Sequence, residues 1–240
     1  MARKILWLAL IAAACGGSPD GGSEARVGSD RAAPPGADAP VVLFLGTSLT
    51  AGYGLNVELA YPALIQHEID AAGLGYRVVN AGVSGETSAG GLRRIDWLLR
   101  EQVAVLVIEL GANDGLRGLD PSEMKRNLAE IIAHTRAAYP EVRIVIAGMV
   151  APPNFGRSYT TPFRSVFPDL ARETDAALIP FLLDGVGGIP ALNQADGIHP
   201  TAEGQEIVAA NVWKVLQPVL VQLRTSSVEP ANLGSGHDRA

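Results

Sequence analysis

The sequence predicts an α/β fold with a central five-stranded parallel sheet, and two observations carry that expectation. Short apolar runs alternate with longer amphipathic stretches between about residues 40 and 223, the pattern of repeated strand–helix–strand units. The apolar runs are close to continuous rather than alternating in polarity, as in strands covered on both faces. With 240 residues, 48% of them hydrophobic and 18% charged, the chain can bury the core of one domain of ordinary size.

The chain opens with Arg3 and Lys4, an apolar run from Ile5 to Ala14, and small residues up to Cys15. This predicts a signal peptide over 1–14, too short an apolar stretch to span a bilayer. The stretch Leu10 to Ser18 resembles a bacterial lipoprotein processing site, with Ala12 where that pattern usually carries Leu, Val or Ile. The resemblance makes Cys15 the lipidated first residue of an exported protein, and Gly16 after it, rather than Asp, resembles the outer-membrane sorting pattern of a cell with two membranes. An ordinary signal peptide, leaving a periplasmic or secreted protein, is the alternative. From Gly16 to Ala39 only Val27 is a large apolar side chain, so 15–39 reads as a lipidated cysteine plus flexible linker. Its mean reach is roughly 25 to 30 Å, enough to hold a domain clear of a membrane surface.

The domain itself is expected over 40–224. Val41 to Leu45 is the first strand, and Tyr61, Leu64, Ile65 and Ile69 mark a helix face closed by Gly73 and Gly75. Arg77 to Ala81 is the second strand, Thr87 to Arg100 a helix, and Ala104 to Leu110 the third strand, apolar apart from Glu109. Asp120-Pro121-Ser122-Glu123 is an N-cap followed by proline at the first helical position, ahead of Met124, Leu128, Ile131 and Ile132. The fourth strand is predicted at Val142 to Val150, a helix within Phe163 to Ala177, and the fifth strand at Leu178 to Leu183. Thr201 caps a last helix with its apolar stripe at Val208, Val212, Val215 and Val219 and a kink near Pro218. The polar stretch 225–240 is expected to be disordered.

Composition excludes several functions. Net charge is −6 with no basic run, so nucleic acid is not an expected partner. A single cysteine permits no disulfide framework or cysteine metal cluster, and no histidine pair or H-E-x-x-H suggests a metal. Neither G-x-x-x-x-G-K-[ST] nor a strand followed by G-x-G-x-x-G is present, which argues against a nucleotide-binding module. No cofactor is called for, and a monomer is expected.

Four stretches at one sheet edge carry the candidate chemistry. Gly46-Thr47-Ser48-Leu49 follows the first strand, and Ser84-Gly85-Glu86-Thr87 the second. Gly111-Ala112-Asn113-Asp114 follows the third, and Asp196-Gly197-Ile198-His199-Pro200 precedes the last helix. Acyl transfer needs a nucleophile, a base, a group that orients the base, and donors for an oxyanion. Ser48 is placed as a nucleophile, with a helix cap as its bland alternative. His199 is the best-placed base, and Asp196, three residues earlier, can reach its Nδ1 side. Asn113 and the Gly85 backbone can donate to an oxyanion, although each also suits a plain turn.

Together these blocks resemble those of the SGNH, or GDSL, hydrolases, and within them the bacterial thioesterase, lysophospholipase and arylesterase branch. Asn113 to Gly118 and Pro153 to Arg157 share that branch's pattern. The resemblance implies a flavodoxin-like three-layer α/β/α sandwich. It implies a Ser48–His199–Asp196 triad and an oxyanion hole made by the backbone N–H groups of Ser48 and Gly85 and the Asn113 side chain. Thr47 stands where the family usually has Asp. The loops after strands three and four supply Leu116, Leu119, Pro153, Asn154 and Phe155 as the expected wall of a groove for acyl esters or thioesters. A carbohydrate O-acetyl esterase and a catalytically silent surface binding protein are the competing readings. An ordinary α/β-hydrolase would want G-x-S-x-G, and Thr50 occupies the second glycine's place.

Overall fold

The computed structural model describes Gly36 and residues 38–228. The expected signal peptide, lipidated Cys15 and linker lie outside those residues, apart from the last few linker positions. Five strands form one parallel sheet: β1 (Val41–Gly46), β2 (Arg77–Gly82), β3 (Val103–Glu109), β4 (Arg143–Ala147) and β5 (Ala177–Ile179), in the order β2-β1-β3-β4-β5. Between and after them run α1 (Ser48–Ala51), α2 (Tyr61–Ala71), α3 (Ser88–Leu98), α4 (Ala112–Leu116), α5 (Pro121–Ala138), α6 (Arg157–Glu173) and α7 (Ala202–Val228). Helices α2 and α7 pack together as one layer, and α3, α5 and α6 pack in series as the other. The result is the expected three-layer α/β/α sandwich.

Strand β1 is buried at every position, because helices cover it from both sides. Its apolar run therefore satisfies both faces, and each large side chain so buried contributes about 1.5–3 kcal/mol. The helix starts follow local chemistry. Asp120 accepts from the Ser122 N–H at 2.8 Å, Thr87 from the Gly90 N–H at 3.3 Å, and Thr201 from the Gly204 N–H at 3.2 Å.

Some boundaries differ from the sequence expectation. Strand β4 ends at Ala147, and β5 ends at Ile179 because Pro180 has no N–H to continue a ladder. Helix α6 begins at Arg157, earlier than expected, and stops before Asp175, which has φ 48°. The buried stripe of α7 runs through Val208, Val212, Leu216 and Leu220, so Val215 and Val219 sit only at its margin. The helix continues through Pro218 to Val228, four residues into the segment expected to be disordered. There Thr225 and Ser226 donate their hydroxyls back to the Gln222 carbonyl.

One feature of the register positions the site. Gly46 lies level with Gly82 on one side and Glu109 on the other, so β1, β2 and β3 end side by side. The loops leaving these three ends carry Ser48, Gly85 and Asn113, and they open onto a common crevice.

Candidate active site

Ser48 is the first residue of the one-turn helix α1, and the Thr47 hydroxyl before it caps the turn through the Leu49 N–H at 3.4 Å. At the first helical position the Ser48 N–H has no partner within the helix. The turn is fastened from below by Glu109, which is 0% exposed. Its carboxylate accepts from the Thr47 N–H at 2.8 Å, the Thr47 hydroxyl at 3.0 Å, the Thr50 hydroxyl at 2.8 Å and the Thr50 N–H at 3.3 Å. Thr50 Oγ1 also lies 2.7 Å from the Tyr61 hydroxyl. Burial pushes the Glu109 carboxyl up to about 7 against the opposing pull of those bonds, and burial also raises Tyr61. Gly46 leaves room for this cluster, since a Cβ there would lie 2.0 Å from Thr50 Oγ1 and 2.8 Å from Glu109 Oε2. Thr47, which departs from the usual family residue, is thus a donor into a buried carboxylate.

His199 arrives from a different element. The segment between β5 and α7 doubles back through an antiparallel bridge of Asn193 with Pro200 and a 2.7 Å bond from the Gln194 N–H to the His199 carbonyl. Gln194 Nε2 donates to the Tyr53 carbonyl at 2.7 Å, which ties this loop to the one after α1. Asp196 accepts at Oδ1 from the backbone N–H groups of Ile198 (2.9 Å) and His199 (3.0 Å), while Oδ2 lies 2.6 Å from His199 Nδ1. The side-chain bond to His199, with those two backbone N–H donors, holds the Asp196 carboxyl down to about 2. His199 Nε2 is 2.9 Å from Ser48 Oγ, and the Tyr53 ring lies against the imidazole with centroids 4.5 Å apart. Asp196 on Nδ1 leaves Nε2 as the nitrogen that faces the serine.

The remaining donors are fixed by their neighbours. Gly85 has φ 78°, a left-handed conformation that suits glycine, and Arg117 Nη2 donates to its carbonyl at 2.9 Å. Glu86, next along, is clamped by Arg94, which also donates to the Ala81 carbonyl at 2.6 Å. Asn113 Nδ2 donates one hydrogen to the Glu86 carbonyl at 2.9 Å, leaving the second hydrogen of the amide for another acceptor. Asp114 is buried and accepts from the Ser88 N–H at 2.9 Å and the Ser88 hydroxyl at 2.6 Å, which locks α4 to the start of α3. Ser48, Gly85, Asn113 and His199 all line one cleft of about 620 Å³, within the usual range of roughly 300–1,000 Å³ for a small-molecule site.

The cleft wall is only partly the one expected. Leu116 and Pro153 line it, whereas Leu119, Asn154 and Phe155 do not. Pro153 to Phe155 forms a short 3₁₀ turn, and the Phe155 ring packs at a tilt against Tyr159 of α6, with centroids 5.1 Å apart. The apolar wall comes from Tyr53, Met149, Val150, Phe181, Leu183 and Ile198. None of the lining residues is Lys, Arg, Asp or Glu.

Comparison with known proteins agrees with this geometry. A model of the GDSL-like lipase/acylhydrolase family matches residues 44–207. The chain belongs to this family. Esterase TesA of Pseudomonas aeruginosa is 43% identical over 185 residues, covering 77% of this chain and 91% of that protein. A crystal structure of TesA superposes with a TM-score of 0.71 over 75% of this chain and 99% of the other. The Escherichia coli K12 protein named thioesterase 1/protease 1/lysophospholipase L1 is 38% identical over 185 residues, 77% of this chain and 86% of that protein. An arylesterase of Vibrio mimicus is 37% identical over 176 residues, 73% and 87% of the two chains. This member of the family is a serine esterase, and its reaction is hydrolysis of acyl esters.

Proposed function

We propose that Ser48 is the nucleophile of this esterase, with His199 as general base, Asp196 as its orienting partner, and the Ser48 N–H, Gly85 N–H and Asn113 side chain as oxyanion donors. The supporting observation is the chain of contacts from Ser48 Oγ through His199 to Asp196, 2.9 and 2.6 Å, at the edge of an uncharged cleft. Nε2 takes the serine proton as Oγ attacks the acyl carbon. The ionised Asp196 stabilises the imidazolium that forms, and the three donors meet the negative oxygen. The imidazolium then protonates the departing alcohol or thiol, leaving an acyl-serine. Water, deprotonated by the same histidine, cleaves that intermediate and restores the serine.

The substrates we propose are lysophospholipids, acyl thioesters and aryl esters, in keeping with the names of the relatives and with the apolar wall of the cleft. A panel of aryl esters from acetyl to decanoyl, with matched thioesters, tests this on the purified protein. We expect kcat/KM to rise with acyl length, each CH₂ gaining up to about 0.8 kcal/mol until the wall ends. A preference for acetylated polysaccharide, with no gain beyond acetyl on aryl esters, would replace the reading by a carbohydrate esterase. We further propose that the protein is exported and tethered through a lipidated Cys15, with 40–224 as the hydrolase domain. Among the described residues no helix is long and apolar enough to cross a membrane. Cys15→Ser should therefore release the protein from the membrane fraction, and unchanged fractionation would contradict the tether.

A further inference from the structure

The loop Val150 to Pro153 that walls the acyl cleft has a second cavity on it. This cavity, about 560 Å³, shares Val150, Ala151 and Pro153 with the cleft, and its other side is one face of α6: Arg157, Thr160, Thr161, Arg164 and Ser165. The spacing of 3, 1, 3 and 1 residues places these side chains on a single helical stripe. The two sides of the shared loop differ in chemistry. The acyl cleft holds no charged carboxylate, lysine or arginine, while the adjoining cavity holds two guanidinium groups.

Both arginines are exposed, and among the described residues neither has an ion-pair partner. The contrast lies about two turns beyond Arg164, where Arg172 of the same helix pairs with Asp169 at 2.8 Å. In a chain of net charge −6, two uncompensated guanidinium groups about two turns apart on one helix face, beside a substrate cleft, form a local positive field of the sign opposite to the whole. Guanidinium binds phosphate through paired, charge-assisted hydrogen bonds. Thr160 and Ser165 donate their hydroxyls to the Gly156 and Pro162 carbonyls, so their role here is limited to the rim, and the arginines supply the donors.

We propose that this cavity is a subsite for a phosphate carried on the alcohol or thiol portion of the substrate, the acyl chain lying in the cleft and the leaving group crossing the Val150 to Pro153 loop. The inference rests on the reading of Ser48 as an acyl-transfer nucleophile. Two substrate types present such a phosphate: glycerophosphate esters, as in lysophospholipids, and thioesters of coenzyme A.

The experiment compares phosphate-bearing and neutral partners of equal acyl length. The glycerol arm uses octanoylglycerol phosphate against octanoylglycerol, and the thioester arm octanoyl coenzyme A against octanoyl-N-acetylcysteamine. In the double variant Arg157→Gln/Arg164→Gln, kcat/KM for the phosphate-bearing member should fall by about tenfold or more, mainly through KM, as loss of charge-assisted bonds requires. The neutral member should change less than about twofold, and added salt should mimic the variant only for the phosphate-bearing one. A selective fall in either arm supports the subsite and names the source of the phosphate. Equal effects on charged and neutral partners in both arms, or no effect in either, overturn it. Calorimetry on Ser48→Ala separates this from the catalytic reading, because binding is measured without turnover. In at least one of the two pairs the phosphate-bearing member should bind more tightly than its neutral partner, and the advantage should vanish when both arginines are also replaced. Equal affinities within both pairs would overturn the subsite whatever the fate of the nucleophile.

Discussion

Ser48 and His199 meet at 2.9 Å, yet the chain holds them by different physics. The serine sits on a turn built into the core, fastened by a carboxylate that no solvent reaches, and its neighbours Thr47 and Thr50 are buried with it. The histidine sits on a surface loop whose carboxylate, Asp196, keeps a side-chain exposure of 39%. Two acidic side chains thus work in opposite environments. Glu109 is raised to about 7 by burial, and Asp196 is lowered to about 2 by the bonds it receives. The nucleophile end gains fixed geometry at an electrostatic cost, while the base end keeps its acid ionised and in reach of solvent. The contrast shows why the two are not exchangeable: the carboxylate proposed to stabilise an imidazolium is the one left ionised, and the carboxyl that anchors the Thr47 to Thr50 turn is the one buried.

Each end can be broken separately. The largest expected effect is at the base end, where Asp196→Asn keeps the shape but cannot accept the Nδ1–H hydrogen bond with a full negative charge. Its kcat should drop by about 10⁴-fold with the thermal melt little changed. A drop below about tenfold would mean that Asp196 does no more than shape the loop. Next is the nucleophile end. Asn113→Ala removes one of the proposed oxyanion donors and should lower kcat by about 10²- to 10³-fold, or 3–4 kcal/mol, with a smaller change in KM. A rise in KM alone would make Asn113 a binding or turn residue.

The smallest effect, and the one that sharpens the comparison most, concerns Glu109 and pH. Its free carboxyl titrates near 4.5 and its buried one near 7. Between those values the folded protein holds a proton that the unfolded chain has released. The contribution of this group to stability is therefore fullest below pH 4.5 and is lost as pH rises through 7, a span of about 3 kcal/mol. Glu109→Gln should flatten that part of the stability profile relative to the unsubstituted protein. Asp196 has the opposite sign: its contribution is present above about pH 4 and fades as pH falls through 2. Superimposable profiles of stability against pH for Glu109→Gln and the parent would contradict the buried-carboxylate account.

The same contrast explains what could be read from sequence. Asp196 and His199 are three residues apart, so their contact is a property of one turn. Ser48 is marked by the break from an apolar strand into Gly46 and Thr47. Glu109 looked only like the polar end of a strand, because its meaning depends on the register that sets it beside Gly46. The cleft wall was hidden for a related reason. Met149 and Val150, like Phe181 and Leu183, continue apolar runs that read as strand, and only the strand ends at Ala147 and Ile179 release them to face a substrate. Phe155, an exposed aromatic in a proline-rich loop, looked like a groove residue, but the 3₁₀ turn carries it to Tyr159.

The central claim is that Ser48, aimed by His199, attacks the acyl carbon. A phosphonate ester that reacts with activated serine tests it most directly, read by mass spectrometry of the digested protein. The account predicts one adduct, on Ser48, absent from Ser48→Ala and formed far more slowly in His199→Ala. An adduct on another residue, or equal labelling of Ser48 with and without the histidine, would contradict it.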